Sequence, residues 1–247
     1  MAQFLWRWRR RLMISALATS LVTLAGFGLT AGSAQAAAGG CVWPPGGDWF
    51  AVTCYNTAHY VQSFQEEYAV PKDPSAPGAS FSIWGGLQNA IGDTVLQGVL
   101  TWGGSSWSVY PEYQWGGPKG KDYQGTHISA QYNDTIISTM TASECSGAGA
   151  CVWIVSVKDT RTGQTSTSKA IGSDTVFIQL LGGVLEVRSI SGCLELPASD
   201  HIAFRDLKIV DSTGASPSPT FLPSTPDKQC SMKVAYSPTS ADFTWTP

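Results

Sequence analysis

Apolar and polar residues alternate along most of this chain with the two-residue period of a β-strand. The pattern is clearest in residues 79–102, where two alternating runs meet around a Gly-Gly pair. One face of the second run is formed by Val95, Gln97, Val99 and Thr101. A buried amide without a hydrogen-bond partner costs roughly 1–3 kcal/mol. We therefore expect Gln97 to be paired inside the fold or directed into a groove where a ligand supplies its partner.

Short segments rich in β-branched and aromatic residues continue to the C-terminus, and none after the first 36 residues has a sustained helical period. Turn signals such as Thr162-Gly163 and Gly182-Gly183 separate them, and residues 212–228 are predicted to form a long loop. Many short strands at this spacing in one domain predict an all-β sandwich or barrel. The further predicted strands are Val61–Val70, Trp107–Trp115, Thr126–Tyr132, Thr135–Ala142, Val152–Lys158, Gln164–Ile171, Thr175–Leu181, Val184–Ile190, Ile202–Val210, Met232–Tyr236 and Phe243–Trp245.

The first 36 residues have the organisation of a secretory signal peptide. Four arginines between positions 7 and 11 precede an apolar centre from Leu12 to Leu29, and Ala34-Gln35-Ala36 supplies a cleavage signal. An uncleaved membrane anchor is the alternative. The Ser, Thr and Gly residues of the apolar run and the Ala-x-Ala behind it favour removal instead. We therefore expect the mature chain to be secreted.

Removal of the leader leaves 211 of the 247 residues, a size that suits one β domain. Residues 37–60, with many Trp, Pro and Gly residues, are predicted to form a disulfide-tied N-terminal extension, and residues 61–247 to form the sandwich. All six cysteines follow the leader, which predicts disulfides in an exported chain. Sequence neighbourhood favours Cys41–Cys54, Cys145–Cys151 and Cys193–Cys230 among the many pairings that six cysteines allow.

The net charge and the spacing of potential metal ligands argue against several classes of partner and cofactor. The mature chain keeps 11 of the 15 basic residues and all 18 acidic ones, a net charge of −7, which disfavours nucleic acid and anionic membranes. No C-x-x-C pair is present, and His59, His127 and His201 are too scattered to indicate a zinc site. We expect a monomer that uses no metal and no cofactor.

A single carboxylate changes the interpretation of Gln97. Glu186 shares the face of a predicted strand with Val184, Arg188 and Ile190. Alone, a carboxylate beside an arginine is typical of the solvated side of a strand. Together with Gln97 it permits hydrolysis, because a carboxylate can act as a general base on water while an amide N–H stabilises the oxyanion that forms at a carbonyl. This chemistry needs neither a metal nor a nucleophilic side chain.

Seven segments follow one another in a characteristic order: EYAVPKDP (67–74), SIWGGLQ (82–88), TVLQGVL (94–100), YPEYQW (110–115), VKDTRTGQTST (157–167), LEV (185–187) and HIAFRDLKI (201–209). Together they resemble the glutamic peptidase (eqolisin) family over roughly residues 61–212. SIWGGLQ is similar to that family's Trp-x-Gly motif, TVLQGVL to its Leu-Gln segment and LEV to its Ala-Glu-Trp strand. The resemblance implies a concanavalin A-like jelly roll of two antiparallel sheets and a secreted acid endopeptidase acting on polypeptides.

The same resemblance implies roles for individual residues. Gln97 corresponds to the oxyanion donor and Glu186 to the general acid/base of a catalytic dyad. Two positions depart from the family pattern: Gln88 stands where an acid is common, and Val187 stands where tryptophan usually follows the glutamate. Either departure can change the pKa of the dyad or the shape of the groove. The substrate-binding residues implied are Trp84, Gln88, Tyr110 and Glu112.

Other functions are possible on a sandwich of this kind. A non-catalytic carbohydrate-binding protein would use a row of exposed aromatic side chains. A glycosidase needs two carboxylates facing one bond, and no acid-x-acid-x-acid strand is present. A serine hydrolase is disfavoured because Gly-x-Ser-x-Gly is missing. The aromatic residues available for carbohydrate are Trp102, Trp107, Tyr110, Tyr113 and Trp115.

Overall fold

Fifteen β-strands make up most of the described residues, and no α-helix occurs among them. The computed structural model describes residues 40–42, 49–116, 120–146, 149–169, 175–225 and 229–246, so the predicted leader lies outside these ranges. Within them, no helix has the length and apolar character needed to cross a membrane. The strands are β1 Trp49–Asn56, β2 Val61–Ala69, β3 Ser80–Asn89, β4 Thr94–Trp102, β5 Trp107–Trp115, β6 Lys121–Gln124, β7 Ile128–Ala130, β8 Thr135–Ser143, β9 Val152–Asp159, β10 Thr165–Lys169, β11 Phe177–Ser189, β12 His201–Asp211, β13 Leu222–Ser224, β14 Lys233–Ser237 and β15 Ser240–Thr244.

These strands form two antiparallel sheets. The eight-stranded sheet has the order β13-β1-β11-β3-β4-β5-β6, with β7 beside β5. The seven-stranded sheet has the order β10-β9-β8-β2-β12-β15-β14. The predicted all-β, two-sheet antiparallel sandwich is therefore confirmed.

The main core lies between the sheets. Leu96 and Leu100 of β4 contribute from one side, and Met140 of β8 and Val157 of β9 from the other, all with no exposed surface. Removing such a side chain from water stabilises the fold by about 1.5–3 kcal/mol. The even-numbered positions of β4 therefore face the core between the sheets.

A second apolar cluster covers the outer face of the eight-stranded sheet. Because successive side chains of a strand point to opposite faces, the odd-numbered residues of β4 point away from the core. Together with residues of β1, β3, β5 and β11 they form an apolar layer beneath the polar side chains of this face. The cluster contains Trp49, Val52, Cys54, Trp84, Val95, Val99, Tyr110, Leu181 and Val184.

The predicted turn at Gly182-Gly183 is wrong, because β11 runs without interruption through both glycines. Close packing explains them. A Cβ at Gly182 would lie 2.5 Å from the Phe221 ring, and a Cβ at Gly183 would lie 2.5 Å from the Phe204 ring. The pairing of β11 with β3 shifts register at this point, so the glycines also accommodate an irregularity within a long strand.

The predicted boundary at residue 60 is also wrong. The eight residues of β1 lie inside the expected N-terminal extension, yet β1 pairs with β11 on one side and β13 on the other. β13 in turn lies within the predicted loop 212–228. The strand sequence WFAVTCYN is almost entirely buried, so it belongs to the sandwich and places Trp49 on its outer face.

The three disulfides predicted from sequence neighbourhood are confirmed. Cys41 is bonded to Cys54, Cys145 to Cys151, and Cys193 to Cys230. The first bond attaches the residues before β1 to the outer face of the eight-stranded sheet, where Cys54 packs beside Trp84 and Trp49. Three disulfides are compatible with an extracellular protein.

One carboxyl group lies between the sheets. Glu66 of β2 has no exposed surface, and its Oε1 accepts a hydrogen bond of 3.0 Å from the Gly85 backbone N–H of β3. A Cβ at Gly85 would lie 1.8 Å from Glu66 Oε2, so only glycine fits opposite this side chain. Burial raises the pKa of Glu66 to about 8, and its titratable neighbour Tyr68 donates its hydroxyl to the Gly98 carbonyl at 2.8 Å. The sandwich therefore contains an acid that is neutral over most of the acidic range.

Candidate active site

A cleft of about 240 Å³ lies on the outer face of the eight-stranded sheet. Its walls come from β1, β3, β4, β5, β6 and β11, above the outer apolar cluster. The structure brings together all six residues that the sequence analysis singled out. The residues around this cleft include Gln97, Glu186, Trp84, Gln88, Tyr110 and Glu112.

Strand register brings distant parts of the sequence to this cleft. Gln97 of β4 lies between Gly86 of β3 and Glu112 of β5. Glu186 of β11 lies opposite Ser82 of β3. The strands of Gln97 and Glu186 are separated by β3 alone, and each lies about 4.8 Å from β3. Their partners on β3, Gly86 and Ser82, are four positions apart, which is about 13 Å along the strand, so the two side chains reach into the cleft at different heights of the sheet. The amide and the carboxylate enter the cleft from opposite sides of one strand.

Trp84 of β3 holds the Glu186 carboxylate. Its indole Nε1 donates a hydrogen bond of 3.1 Å to Glu186 Oε2. The Trp84 ring meets Trp49 edge to face, with centroids 5.4 Å apart, and Trp84 itself is only 2% exposed. Because the packed indole is fixed, it restricts the rotamer of the half-buried glutamate.

Glu112 holds the Gln97 amide. Gln97 Nε2 donates to Glu112 Oε2 at 2.5 Å, and Gln124 Nε2 of β6 donates to Glu112 Oε1 at 2.7 Å. Burial raises the pKa of the Glu112 carboxyl, while the hydrogen bonds from Gln124 and Gln97 lower it. A carboxylate accepts but does not donate, so it fixes the orientation of Gln97 with the NH₂ group toward Glu112.

Gln88 of β3 is hydrogen-bonded on both sides of its amide where it lines the cleft. Its Oε1 accepts from Gln179 Nε2 at 2.5 Å, and its Nε2 donates to the Gly92 carbonyl at 3.2 Å. Gln179 also exchanges two hydrogen bonds with the Val42 backbone, next to the Cys41 disulfide. Gln88 therefore joins the residues before β1 to the cleft wall, a contact that its position in the sequence did not predict.

Tyr110 of β5 also lines the cleft. Its ring stacks on His127, with centroids 4.0 Å apart, and His127 Nε2 lies 3.4 Å from Gln124 Oε1. Burial raises the pKa of Tyr110 to about 12, with a further contribution from Glu112. The phenol is thus a neutral hydrogen-bonding group at every acidic or neutral pH.

Sequence reasoning missed several residues of the cleft, among them Trp49, Gln124 and Arg188. Trp49 was missed because its segment was predicted to be an N-terminal extension of the sandwich, and Gln124 because β6 is only four residues long. Arg188 lies on the same face of β11 as Glu186, so the alternation of residues 184–190 could have predicted its place in the cleft. Among the described residues, no three His, Cys, Asp or Glu side chains are grouped as metal ligands.

The aromatic residues considered for carbohydrate binding do not form an exposed row. Trp102, Trp107 and Tyr113 are at most 6% exposed and belong to the core between the sheets. Tyr110 lies in the cleft, whereas Trp115 is 49% exposed at the end of β5. These five side chains therefore do not offer one common platform to a sugar.

Comparison with known proteins identifies the fold. One similar structure is scytalido-glutamic peptidase, solved with a peptide-based transition-state analogue, with a TM-score of 0.59 and 15% sequence identity to this chain. The match covers 81% of this chain and 99% of that peptidase. SCP-B, a member of the eqolisin family solved with the tripeptide Ala-Ile-His, is 14% identical, with a TM-score of 0.57 and the same two coverages, 81% and 99%. No protein-family profile and no curated protein matches this sequence. The chain has the fold of the glutamic peptidases.

Proposed function

We propose that this protein is a secreted acid endopeptidase in which Gln97 and Glu186 form the catalytic dyad. The observation that carries the proposal is that both side chains enter one cleft, from strands on either side of β3. Each is held by a neighbour, Glu186 by Trp84 and Gln97 by Glu112. Such support keeps reacting groups in position before substrate binds.

Glu186 acts first as a general base. It accepts a proton from a water molecule, whose oxygen forms a bond to the peptide carbonyl carbon while the C=O electron pair moves to oxygen. The tetrahedral intermediate then collapses, the C–N bond breaks, and Glu186 returns the proton to the departing amine. Trp84 restricts the carboxylate throughout, since its N–H donates to Oε2. The net reaction consumes one water and releases a carboxyl and an amino end.

Gln97 stabilises the oxyanion. Its Nε2 carries two hydrogens, and Glu112 accepts one of them. The second hydrogen is the donor for the charge that develops on the carbonyl oxygen. One such donor in a site shielded from water is worth about 3 kcal/mol in the transition state. Because Gln97 is only 5% exposed, its amide has little water to compete with the substrate.

Secretion and acid activity fit the remaining features. The chain begins with a predicted signal peptide and contains three disulfides. A free glutamic acid titrates near 4.3, so a glutamate base suits an acidic medium. The buried Glu66 is neutral in that range, which adds no charge to the core.

Replacement of Gln97 by alanine tests the oxyanion role. We expect kcat to fall about 10²- to 10³-fold with a small change in KM, because the lost hydrogen bond is strongest in the transition state. The matched control is Gln65→Ala, which removes an amide from β2 in the other sheet. The measurement is steady-state hydrolysis of an internally quenched peptide at acid pH. Wild-type kcat in Gln97→Ala would remove Gln97 from the mechanism.

Replacement of Glu112 by glutamine tests how Gln97 is held. A glutamine has one acceptor oxygen, so it cannot accept from both Gln97 and Gln124 as the carboxylate does. We expect kcat to fall about tenfold, the effect of one misplaced hydrogen bond, while KM changes little. The control is Glu67→Gln, the same change in the seven-stranded sheet. Equal kinetics for both variants would show that Glu112 does not position Gln97.

A further inference from the structure

We propose that Arg188 is a specificity residue that binds a carboxylate of the peptide substrate beside the scissile bond. The inference rests on the proposed endopeptidase function and adds a substrate class to it. Arg188 lies two residues after Glu186 on β11, and both side chains line the cleft. A group bound by Arg188 therefore lies next to the bond on which Glu186 acts.

The charges of the cleft single out Arg188. Its lining residues include three acids, Glu112, Asp122 and Glu186, whereas Arg188 is the only cation among them. Among the described residues, Arg188 forms an ion pair with neither Glu112 nor Asp122, in contrast to Arg161 and Arg205, which pair with Asp134 and Asp242. The exposed guanidinium, with these two carboxylates near it but not bonded to it, retains donors for a ligand.

An acidic medium strengthens the attraction of the cleft for a negatively charged group. A guanidinium keeps its charge at every working pH, whereas carboxylates lose theirs as the pH falls. The field of the cleft thus becomes more positive on acidification, which favours those acidic groups of the substrate that are still ionised at that pH.

The geometry of a guanidinium defines the ligand. Its N–H groups match the two oxygens of a carboxylate in a bidentate pair. In a peptide such a group is either the side chain of aspartate or glutamate or the terminal α-carboxylate. The two sources place the scissile bond differently, since an α-carboxylate at Arg188 would restrict cleavage to the end of the chain.

A peptide series separates these sources. Each peptide of the series carries Asp, Asn, Lys or cysteic acid at one position flanking the scissile bond. Its C-terminus is either amidated or free. Cysteic acid is included because its sulfonate stays ionised in acid. The proteins compared are wild type, Arg188→Ala, Arg188→Glu and the control Lys208→Ala, which removes a cation from β12 of the other sheet.

We expect wild type to prefer Asp and cysteic acid to Asn and Lys at one position. Arg188→Ala should lower kcat/KM for the acidic peptides by about tenfold, the effect of one charge-assisted hydrogen-bonded pair, and leave the Asn peptide unchanged. Arg188→Glu should reverse the preference toward Lys, and Lys208→Ala should behave as wild type. A preference confined to free C-termini would assign the α-carboxylate as the ligand.

An equal loss for all peptides in Arg188→Ala would overturn the proposal, because the arginine would then act on the catalytic groups and not on the substrate. Binding of the same labelled peptides to the Glu186→Gln variant tests Arg188 without hydrolysis. It therefore distinguishes an incorrect assignment of Arg188 from an incorrect assignment of the catalytic dyad. Tighter binding of the cysteic acid peptide, lost in the Arg188→Ala/Glu186→Gln double variant, supports Arg188 even if no peptide is hydrolysed. Equal binding of the Asp, Asn and Lys peptides, or binding of none, contradicts it.

Discussion

Replacement of Glu186 by glutamine is expected to lower kcat/KM for peptide hydrolysis by about 10³- to 10⁴-fold, the full contribution of a general acid–base group. An amide of the same shape cannot take a proton from water or return one to the leaving amine. The Trp84 indole can still donate to the amide oxygen, so the side chain keeps its place in the cleft. The measurement is hydrolysis of a quenched peptide between pH 3 and 6 (roughly one to two units around the usual glutamate pKa).

The control for this variant is Glu67→Gln, which makes the same chemical change on β2. Both variants should have the unfolding free energy of wild type within about 0.5 kcal/mol, because each replaces a partly exposed carboxylate by an amide of the same shape. Loss of activity with unchanged stability assigns the effect to chemistry. If Glu186→Gln retained wild-type kcat/KM, Glu186 would not be the base.

The unfolding free energy is expected to decrease as the pH rises from about 4.5 to about 8, because of Glu66. In that interval the folded protein keeps a proton that the unfolded chain releases, since burial raises the folded-state pKa from its ordinary value of 4.5 to about 8. The contribution is fully present below pH 4.5 and falls by about 1.4 kcal/mol per pH unit, or about 5 kcal/mol in total. Denaturant unfolding with the disulfides intact measures it.

Glu66→Gln should remove this dependence, because an amide does not titrate. The amide oxygen can still accept a hydrogen bond from the Gly85 N–H, so the variant is expected to fold with the new side chain packed against Gly85. The quantity to compare is the slope of unfolding free energy against pH, not its absolute value. Equal slopes for wild type and Glu66→Gln would mean that Glu66 is not held as the neutral acid.

Much of the architecture could be predicted from local sequence. The alternation in β4 separates Leu96 and Leu100, which enter the core, from Gln97, which enters the cleft. That period is a property of the strand backbone and needs no knowledge of partners. The three disulfides were also predictable, because each joins cysteines that are neighbours in the order of the sequence.

Features that depend on contacts between distant segments could not be predicted in this way. Gly182 and Gly183 have the composition of a turn, and only the rings of Phe221 and Phe204 explain why a strand carries them. The same limit applies to the site. Gln97 and Glu112 are 15 positions apart, and no pattern in the sequence indicates that the first donates to the second.

The most direct test of the dyad is incubation of the purified mature chain, residues 37–247, with an unfolded protein across acid pH, beside Glu186→Gln. Mass spectrometry identifies which peptide bonds are cleaved. We predict that wild type cleaves internal bonds in acid and that Glu186→Gln cleaves none above background. Equal cleavage by both proteins, or none by wild type at any acidic pH, would contradict the assignment of this cleft as a glutamic peptidase site.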